Sequence, residues 1–432
     1  MTRLPYTEKI MSNFRLIARR SAVASLVLAL SLAAAVAQSA FYLKNGDRVV
    51  FYGDSITDQR LYTTFTETYV LTRFPRMKVA FIHSGWGGDR VSGGGGGPID
   101  LRLQRDVFPY KPTVMTIMLG MNDGSYRAFD QKIFDTYADG FRHIIESVEK
   151  TLPGIRITLI QPSPFDDVTR APNFEGGYNA VLVRYGDFLK ELAASGKLTI
   201  ADLNSSVVAA LRKANDLDAE TAKKIVPDRV HPGAGGHLLM AEALLKAWNA
   251  PATVAAVEID AAAKSVVKAE NTEVTGLASA PALSWTETDR ALPMPLDTKD
   301  PVVALALRAS DFVDALDREP LRVTGLAAAR YTLEIDGDPA GTFTKEELAS
   351  GINLATLPTP MAKQAARVHE LTLRHNLVHF ARWRQVQVPL ADEQTGHLQN
   401  ALNGLDALEA ELVEQQRAAA QPKSHHFALV AQ

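Results

Sequence analysis

The stretch Arg48-Val49-Val50-Phe51-Tyr52, followed at once by Gly53-Asp54-Ser55-Ile56-Thr57-Asp58, decides how this chain is expected to fold. The first five residues form an apolar run that is typical of a buried strand, and the next residues favour a turn into a helix. Such a turn exposes the Ser55 hydroxyl on a rigid scaffold, where backbone N–H groups at the helix start can receive negative charge. By itself the string is equally typical of an ordinary helix N-cap.

Short apolar runs and segments of helical length alternate from residue 41 to about residue 250. Near-continuous apolar strands separated by helices are typical of a parallel sheet that is covered by helices on both faces. Functional residues of such sheets lie beyond the carboxyl ends of the strands. The predicted strands are 48–52, 78–83, 113–119, 155–160 and 198–202, and the predicted helices are 56–73, 130–151, 177–195, 205–215 and 234–248.

The pattern changes after Pro251, where strand-like segments and turn signals such as Asp336-Gly337 predict a small β-rich module. A helical pattern follows, with a break at Pro389, and predicts a helical hairpin. The hairpin is interpreted either as a structural buttress or as a helix that binds a partner or a cell wall. The predicted divisions are an α/β domain at 41–250, a β-rich accessory module at 251–360, a helical segment at 361–422 and a tail at 423–432.

The N-terminal segment has the pattern of a targeting signal. Arg19 and Arg20 precede the apolar run Ser21–Ala37, which closes in Ala35-Val36-Ala37. A basic region, a short apolar region and a small-residue end predict a secretory signal peptide over residues 1–37, and therefore a secreted or periplasmic protein. A membrane anchor is the alternative, because the run is about as short as a spanning helix can be.

Composition excludes several classes of protein. The chain has 432 residues, of which 46% are hydrophobic and 22% charged, as in ordinary soluble globular proteins. It has no cysteine, so disulfides, thiolate metal sites and cysteine nucleophiles are excluded. Without residues 1–37 it carries 41 basic against 48 acidic residues, a balance that does not favour binding to nucleic acid.

Three further segments are predicted to meet Ser55 at strand ends or helix starts. They are His83-Ser84-Gly85-Trp86-Gly87-Gly88-Asp89, Gly120-Met121-Asn122-Asp123 and Asp228-Arg229-Val230-His231-Pro232. In this order the segments resemble the SGNH branch of the GDSL esterase/lipase family, over roughly residues 45–250. The resemblance implies an SGNH-hydrolase-like (flavodoxin-like) three-layer α/β/α fold and a serine esterase activity, with no metal or organic cofactor.

The resemblance also implies a role for each matched residue. Ser55 matches the nucleophile, and Asp228 and His231 match the pair that relays its proton. Ser55, Gly88 and Asn122 match the groups that donate N–H to the oxyanion. A serine hydroxyl is a weak nucleophile at neutral pH, and an imidazole that accepts its proton contributes about 10²–10⁴-fold. A carboxylate that holds the other ring nitrogen fixes the imidazole in the required tautomer.

Residues beside these motifs are candidates for substrate binding. Asp54, Trp86 and Asp89 are assigned this role, and Trp86 is either a platform for stacking a sugar or a packing residue. His83 stands where the family often has Asn. A histidine there is expected to organise hydrogen bonds, and a second base is the alternative.

Two other features are interpreted as structural. The glycine run Gly93–Gly97 lacks the lysine of a phosphate loop and is predicted to be a mobile loop beside the site. His369, His375 and His379 do not have the spacing of zinc proteases, so they are predicted to be surface or packing histidines and no metal site is expected.

The expected function is that of an exported serine esterase that deacetylates a carbohydrate or polysaccharide. Its partner is then an acylated carbohydrate or small ester, with no nucleic acid and with no membrane beyond the signal segment. Two alternatives stay open at this point. One is a general short-chain carboxylesterase or lipase, and the other is a non-catalytic glycan-binding protein on the same fold.

Overall fold

A parallel sheet forms where the sequence predicts its strands. The structure is a computed structural model that describes residues 40–196, 198–393 and 395–432. Its first strands are β1 (Arg48–Gly53), β2 (Ala80–Gly85), the two-residue β3 (Gly93–Gly94) and β4 (Gly97–Pro98), β5 (Val114–Met118), β6 (Arg156–Ile160) and β7 (Thr199–Ala201). The sheet has the order β2-β1-β5-β6-β7 and every neighbouring pair is parallel. Every residue of β5 is buried, as its apolar sequence predicts.

Helices alternate with these strands, which confirms the predicted α/β/α fold class. They are α1 (Ser55–Asp58), α2 (Leu61–Arg73), α3 (Ile99–Asp106), α4 (Gln131–Thr151), α5 (Gly177–Gly196), α6 (Leu203–Leu217), α7 (Ala219–Ala222) and α8 (Ala234–Ala247). The helix predicted over 56–73 is divided, because Arg60 has φ 59° and interrupts the right-handed path. The short α1 therefore carries Ser55 separately from α2.

The β-rich region contains two further sheets. Its elements are β8 (Ala256–Asp260), β9 (Ser265–Glu270), β10 (Thr272–Ala278), β11 (Leu283–Asp289), α9 (Pro301–Ala309), α10 (Phe312–Leu316), β12 (Pro320–Thr324), β13 (Arg330–Ile335), β14 (Asp338–Thr344), α11 (Lys345–Ser350) and β15 (Ile352–Asn353). One sheet has the order β15-β12-β8-β9. Asp336 and Gly337 both have positive φ and form the predicted tight turn between β13 and β14.

The last elements return to this region. They are α12 (Pro360–Phe380), which continues into the π-helical segment Ala381–Gln387, then α13 (Gly396–Ala419) and β16 (Ser424–Ala431). The prediction of a tail at 423–432 is wrong, because β16 pairs with both β11 and β13 inside the sheet β10-β11-β16-β13-β14. Its alternating side chains His425, Phe427 and Leu429 are buried.

The helical hairpin formed by α12 and α13 packs against the α/β domain. Gln416 Nε2 donates to Glu67 Oε1 on α2 at 3.1 Å, and Trp383 Nε1 donates to Asp106 Oδ1 on α3 at 2.6 Å. Residues Leu43–Gln432 form one compact unit. Within the described part of the chain, no helix is long and apolar enough to cross a membrane. The signal peptide predicted over residues 1–37 lies outside the described residues.

Candidate active site

The turn after β1 presents Ser55 at the carboxyl edge of the sheet. Asp54 is the N-cap of α1, and its Oδ1 accepts the N–H of Ile56 at 3.0 Å. Gly53 has no room for a side chain, since a Cβ there would lie 2.7 Å from the Met118 carbonyl oxygen. Ser55 itself is half-buried, so its hydroxyl lies on a fixed turn and reaches solvent.

Ser55, His231 and Asp228 form a continuous chain of hydrogen bonds. His231 Nε2 lies 2.8 Å from Ser55 Oγ, and His231 Nδ1 lies 2.7 Å from Asp228 Oδ2. With Nδ1 protonated against the carboxylate, Nε2 has a free lone pair that can accept the serine proton. The structure therefore brings together the three residues that the sequence predicts as nucleophile, base and orienting group.

The loop before α8 holds Asp228 and His231 in this arrangement. Asp228 Oδ1 accepts the backbone N–H of Val230 at 2.9 Å and that of His231 at 2.7 Å. Burial alone would raise the pKa of Asp228, but these two hydrogen bonds and the one from the His231 ring outweigh it and lower the pKa. The carboxylate stays ionised and can stabilise an imidazolium as it forms.

Asn122 is oriented by two hydrogen bonds. Its Nδ2 donates to the Asp89 carbonyl oxygen at 3.0 Å, and its Oδ1 accepts from the Tyr126 hydroxyl at 3.0 Å. The amide has two N–H groups, so one stays available for an oxyanion. Burial and the charges of Asp54 and Asp228 raise the pKa of Tyr126 to about 12, so the phenol keeps its proton and remains a donor.

Gly87 and Gly88 lie exposed at the mouth of the site, after β2. Gly88 has φ +78°, a left-handed conformation that glycine adopts most readily, and a Cβ there would meet open space. The N–H of Gly87 donates to Asp58 Oδ2 at 3.2 Å, which ties this loop to α1. A Cβ on Gly87 would be 4.0 Å from the Cβ of Ser55, so the loop lies directly beside the serine.

The three residues assigned to substrate binding are buried, so these assignments are corrected. Asp54 is 1% exposed and acts as the cap of α1, and burial raises its pKa to about 7. Asp89 is 0% exposed and forms an ion pair with Arg102 at 2.8 Å. Trp86 is 8% exposed and packs among arginines and Trp383, so of the two interpretations the structure favours packing over sugar stacking.

The other histidine and glycine features are structural. His83 is buried, with Nδ1 2.7 Å from Thr63 Oγ1 and Nε2 3.2 Å from Glu67 Oε2, and burial lowers its pKa well below the usual value. It organises hydrogen bonds under α2 and is not a second base. Gly93–Gly97 form the β3–β4 hairpin, where a Cβ on Gly96 would lie 2.7 Å from Trp86, so the run is a packed turn.

The C-terminal histidines are packing residues. His375 and His379 are each 3% exposed and lie near Glu409, while His369 stacks on Phe65. Within the described residues, no group of histidine, aspartate and glutamate side chains has a geometry that could hold a metal ion.

Sequence reasoning missed three residues near the mouth of the site. Tyr126 donates a hydrogen bond to Asn122 and lies only four residues after it. Its position in the turn that follows the Asn122 motif is a signal by which the sequence could have indicated it. Asp58, which accepts the Gly87 N–H, is the last residue of the Gly53–Asp58 motif and could have been found there. Arg384 has no local signal, because only the fold brings the C-terminal segment to Trp86.

A parallel α/β sheet with a serine, histidine and aspartate hydrogen-bonded in line at its carboxyl edge has the architecture of a serine hydrolase. Comparison with known families agrees. Residues 51–239 match the model of the GDSL-like lipase/acylhydrolase family.

Two relatives extend this comparison. An acetylxylan esterase from Geobacillus stearothermophilus is 25% identical over 227 residues, which are 47% of this chain and 94% of that protein. The solved structure of a gut microbial diltiazem-metabolizing enzyme is 27% identical and superposes with a TM-score of 0.79, covering 91% of this chain and 100% of that chain. Together these similarities support a carboxylic ester hydrolase.

Proposed function

We propose that this protein is an exported serine esterase that removes acetyl groups from a carbohydrate through an acyl-enzyme intermediate. The observation that carries the proposal is the hydrogen-bonded chain from Ser55 through His231 to Asp228, with bond lengths of 2.8 and 2.7 Å. In this arrangement the proton acceptor is already aligned with the hydroxyl that must lose its proton.

The reaction begins when Ser55 Oγ attacks the ester carbonyl carbon and its proton passes to His231 Nε2. The carbonyl oxygen becomes an oxyanion, which the backbone N–H groups of Ser55 and Gly88 and the amide of Asn122 stabilise. Each such donor contributes about 3–4 kcal/mol to the transition state. The C–O bond to the alcohol then breaks, and the alcohol oxygen takes the proton from His231. Water repeats the sequence on the acyl-enzyme and releases the acid.

The solvent-exposed position of the triad supports a substrate in which the alcohol portion of the ester is bulky. The His231 side chain is 36% exposed and that of Asp228 is 56% exposed. A sugar ring or a polysaccharide chain can approach a site of this kind from solvent. The similarity to an acetylxylan esterase supports acetate as the acyl group and a carbohydrate as the alcohol. Export is supported by the signal-like pattern of residues 1–37.

A small-molecule esterase is the second candidate. The diltiazem-metabolizing enzyme covers nearly the whole of this chain, including the parts that the acetylxylan esterase does not reach. Diltiazem is itself an acetate ester, so a common acetylesterase chemistry would serve both kinds of substrate. Rates of acetate release from acetylated xylan and from diltiazem separate the two candidates.

The experiment compares hydrolysis of p-nitrophenyl acetate by the wild type and by Ser55→Ala. Ser206→Ala, on the exposed face of α6, is the matched control because its hydroxyl donates to the Asp202 carbonyl oxygen one turn earlier. We expect the wild type and the control to be equally active and the Ser55 variant to lose at least about 10³-fold in kcat. Equal rates for all three proteins would contradict the mechanism. Tight glycan binding without hydrolysis would favour a binding protein.

A further inference from the structure

A side chain from the C-terminal helical segment reaches the mouth of the candidate active site. Arg384 lies in the π-helical segment Ala381–Gln387, far outside the residues that match the family model. Its guanidinium lies over the ring of Trp86. Trp86 leads directly into Gly87 and Gly88, the exposed loop beside Ser55.

A second guanidinium, that of Arg60, interacts with the same carboxylate as Arg384, that of Asp58. Arg60 interrupts the helix after Ser55, and its guanidinium lies over the ring of Phe380 with 4.0 Å between its central carbon and the ring centre. The Nη1 atoms of Arg60 and Arg384 are both buried without a hydrogen-bond partner in the described part of the chain. A guanidinium that is held in place without a partner costs desolvation energy that packing alone does not return.

The charge around this pair is not balanced. Two other arginines nearby already have partners, since Arg102 pairs with Asp89 at 2.8 Å and Arg105 pairs with Asp106 at 2.7 Å. Burial raises the pKa of Asp58, and the positive charges of Arg384 and Arg60 both act on it in the opposite direction. One of its oxygens already accepts the Gly87 N–H. Two guanidinium groups therefore share one partly occupied carboxylate beside the nucleophile.

We propose that Arg384, together with Arg60, binds the carboxylate of an acetylated acidic sugar while the ester of that sugar meets Ser55. The inference rests on the proposed esterase function and narrows its substrate class to esters of uronic acids. A planar guanidinium binds a carboxylate through two parallel hydrogen bonds. The stacking of Arg384 on Trp86 holds it in place before the substrate arrives, which reduces the entropy lost on binding.

The test uses two substrates that differ in one charge. They are an O-acetylated methyl glucuronoside and the matching uronamide, which has the same acetyl ester and no carboxylate. Acetate release by the full-length protein is measured at low ionic strength. We expect kcat/KM to be about tenfold higher for the acid than for the amide, and the ratio to fall toward one at high salt.

Variants of Arg384 then test whether this residue is the source of the preference for the acid over the amide. Arg384→Gln is expected to reduce the acid-to-amide ratio to about two or less, and Arg384→Lys, which keeps the charge but not the planar fork, to leave an intermediate ratio. Arg374→Gln is the matched control on α12, because Arg374 is 55% exposed and pairs with Glu370 on the same helix. This control is expected to keep the wild-type ratio.

The outcomes separate this inference from the proposed function. A wild-type ratio near one overturns the acidic-sugar inference, and so does a ratio that Arg384→Gln leaves unchanged. The wild-type ratio and its loss in salt remain a test even where the glutamine variant does not fold. If the wild type releases acetate from neither sugar and does not hydrolyse p-nitrophenyl acetate, it is the esterase proposal that fails.

Discussion

Asp228→Asn tests how the carboxylate orients the candidate base. In the structure Asp228 Oδ1 accepts two backbone N–H groups, and Oδ2 faces His231 Nδ1 at 2.7 Å. An asparagine that keeps its oxygen on the backbone groups must present its NH₂ to Nδ1. The imidazole then carries its proton on Nε2, the atom that faces Ser55 Oγ, and can no longer accept the serine proton.

The size of the effect follows from the exposure of the pair. Loss of the correct tautomer in a well-shielded triad lowers kcat by about 10⁴-fold. Here 56% of the Asp228 side chain and 36% of the His231 side chain are exposed, so water also stabilises the imidazolium and weakens the contribution of the carboxylate charge. We therefore expect a loss of about 10²–10³-fold in kcat, equivalent to about 3–4 kcal/mol.

Steady-state hydrolysis of p-nitrophenyl acetate measures this loss, with Asp187→Asn as the control. Asp187 is an exposed carboxylate on α5 that pairs with Lys190 at 3.2 Å, and its replacement is expected to change kcat by less than about twofold. The orienting role of Asp228 would be refuted if Asp228→Asn kept more than about one fifth of the wild-type kcat. A change confined to KM would refute it as well, since the interaction belongs to the transition state.

Three further outcomes are expected. Asn122→Ala is expected to lower kcat by about 10²–10³-fold with little change in KM, and a pure KM effect in the same assay would contradict the oxyanion role. Tyr126→Phe is expected to lower kcat by about 3–10-fold in the wild type and to have no further effect in Asn122→Ala, because the phenol acts only through that amide; additive losses in this double-mutant cycle would contradict it. Glu319 is buried, and among the described residues neither of its carboxylate oxygens has a hydrogen-bond partner. Burial and the neighbouring carboxylates raise its pKa. Its contribution to stability is therefore present below the unfolded-state pKa and is lost as the pH rises through the folded-state pKa. The free energy of unfolding is measured with urea at about pH 5 and about pH 8. Between these two pH values it is expected to fall by about 1–3 kcal/mol less in Glu319→Gln than in the wild type. Equal falls in the two proteins would contradict the role assigned to the buried carboxyl group.

The parts of the fold that are encoded locally could be predicted from the sequence. The strand β1 was predictable because its apolar run and the glycine after it are adjacent in the chain. The hydrogen-bonded chain of Ser55, His231 and Asp228 agrees with the motif order, since each motif lies next to a strand end or a helix start.

Features that depend on distant contacts could not be predicted. The strand β16 has a readable alternation, but its partners β11 and β13 are about a hundred residues away or more, and no local signal distinguishes it from a tail. Asp54 and Asp89 look like substrate ligands because they flank the motifs, yet the surrounding fold buries both. Arg384 reaches the site only because the helical hairpin packs against the α/β domain.

Covalent labelling with a p-nitrophenyl phosphonate tests most directly whether Ser55 is the nucleophile. Attack by its Oγ on phosphorus releases p-nitrophenolate and leaves a stable bond that water hydrolyses slowly. We expect loss of esterase activity to parallel the incorporation of one phosphonyl group per chain, which peptide mass spectrometry places on Ser55. An inactivated enzyme labelled on another residue, or full labelling of Ser55 with esterase activity retained, would contradict this account.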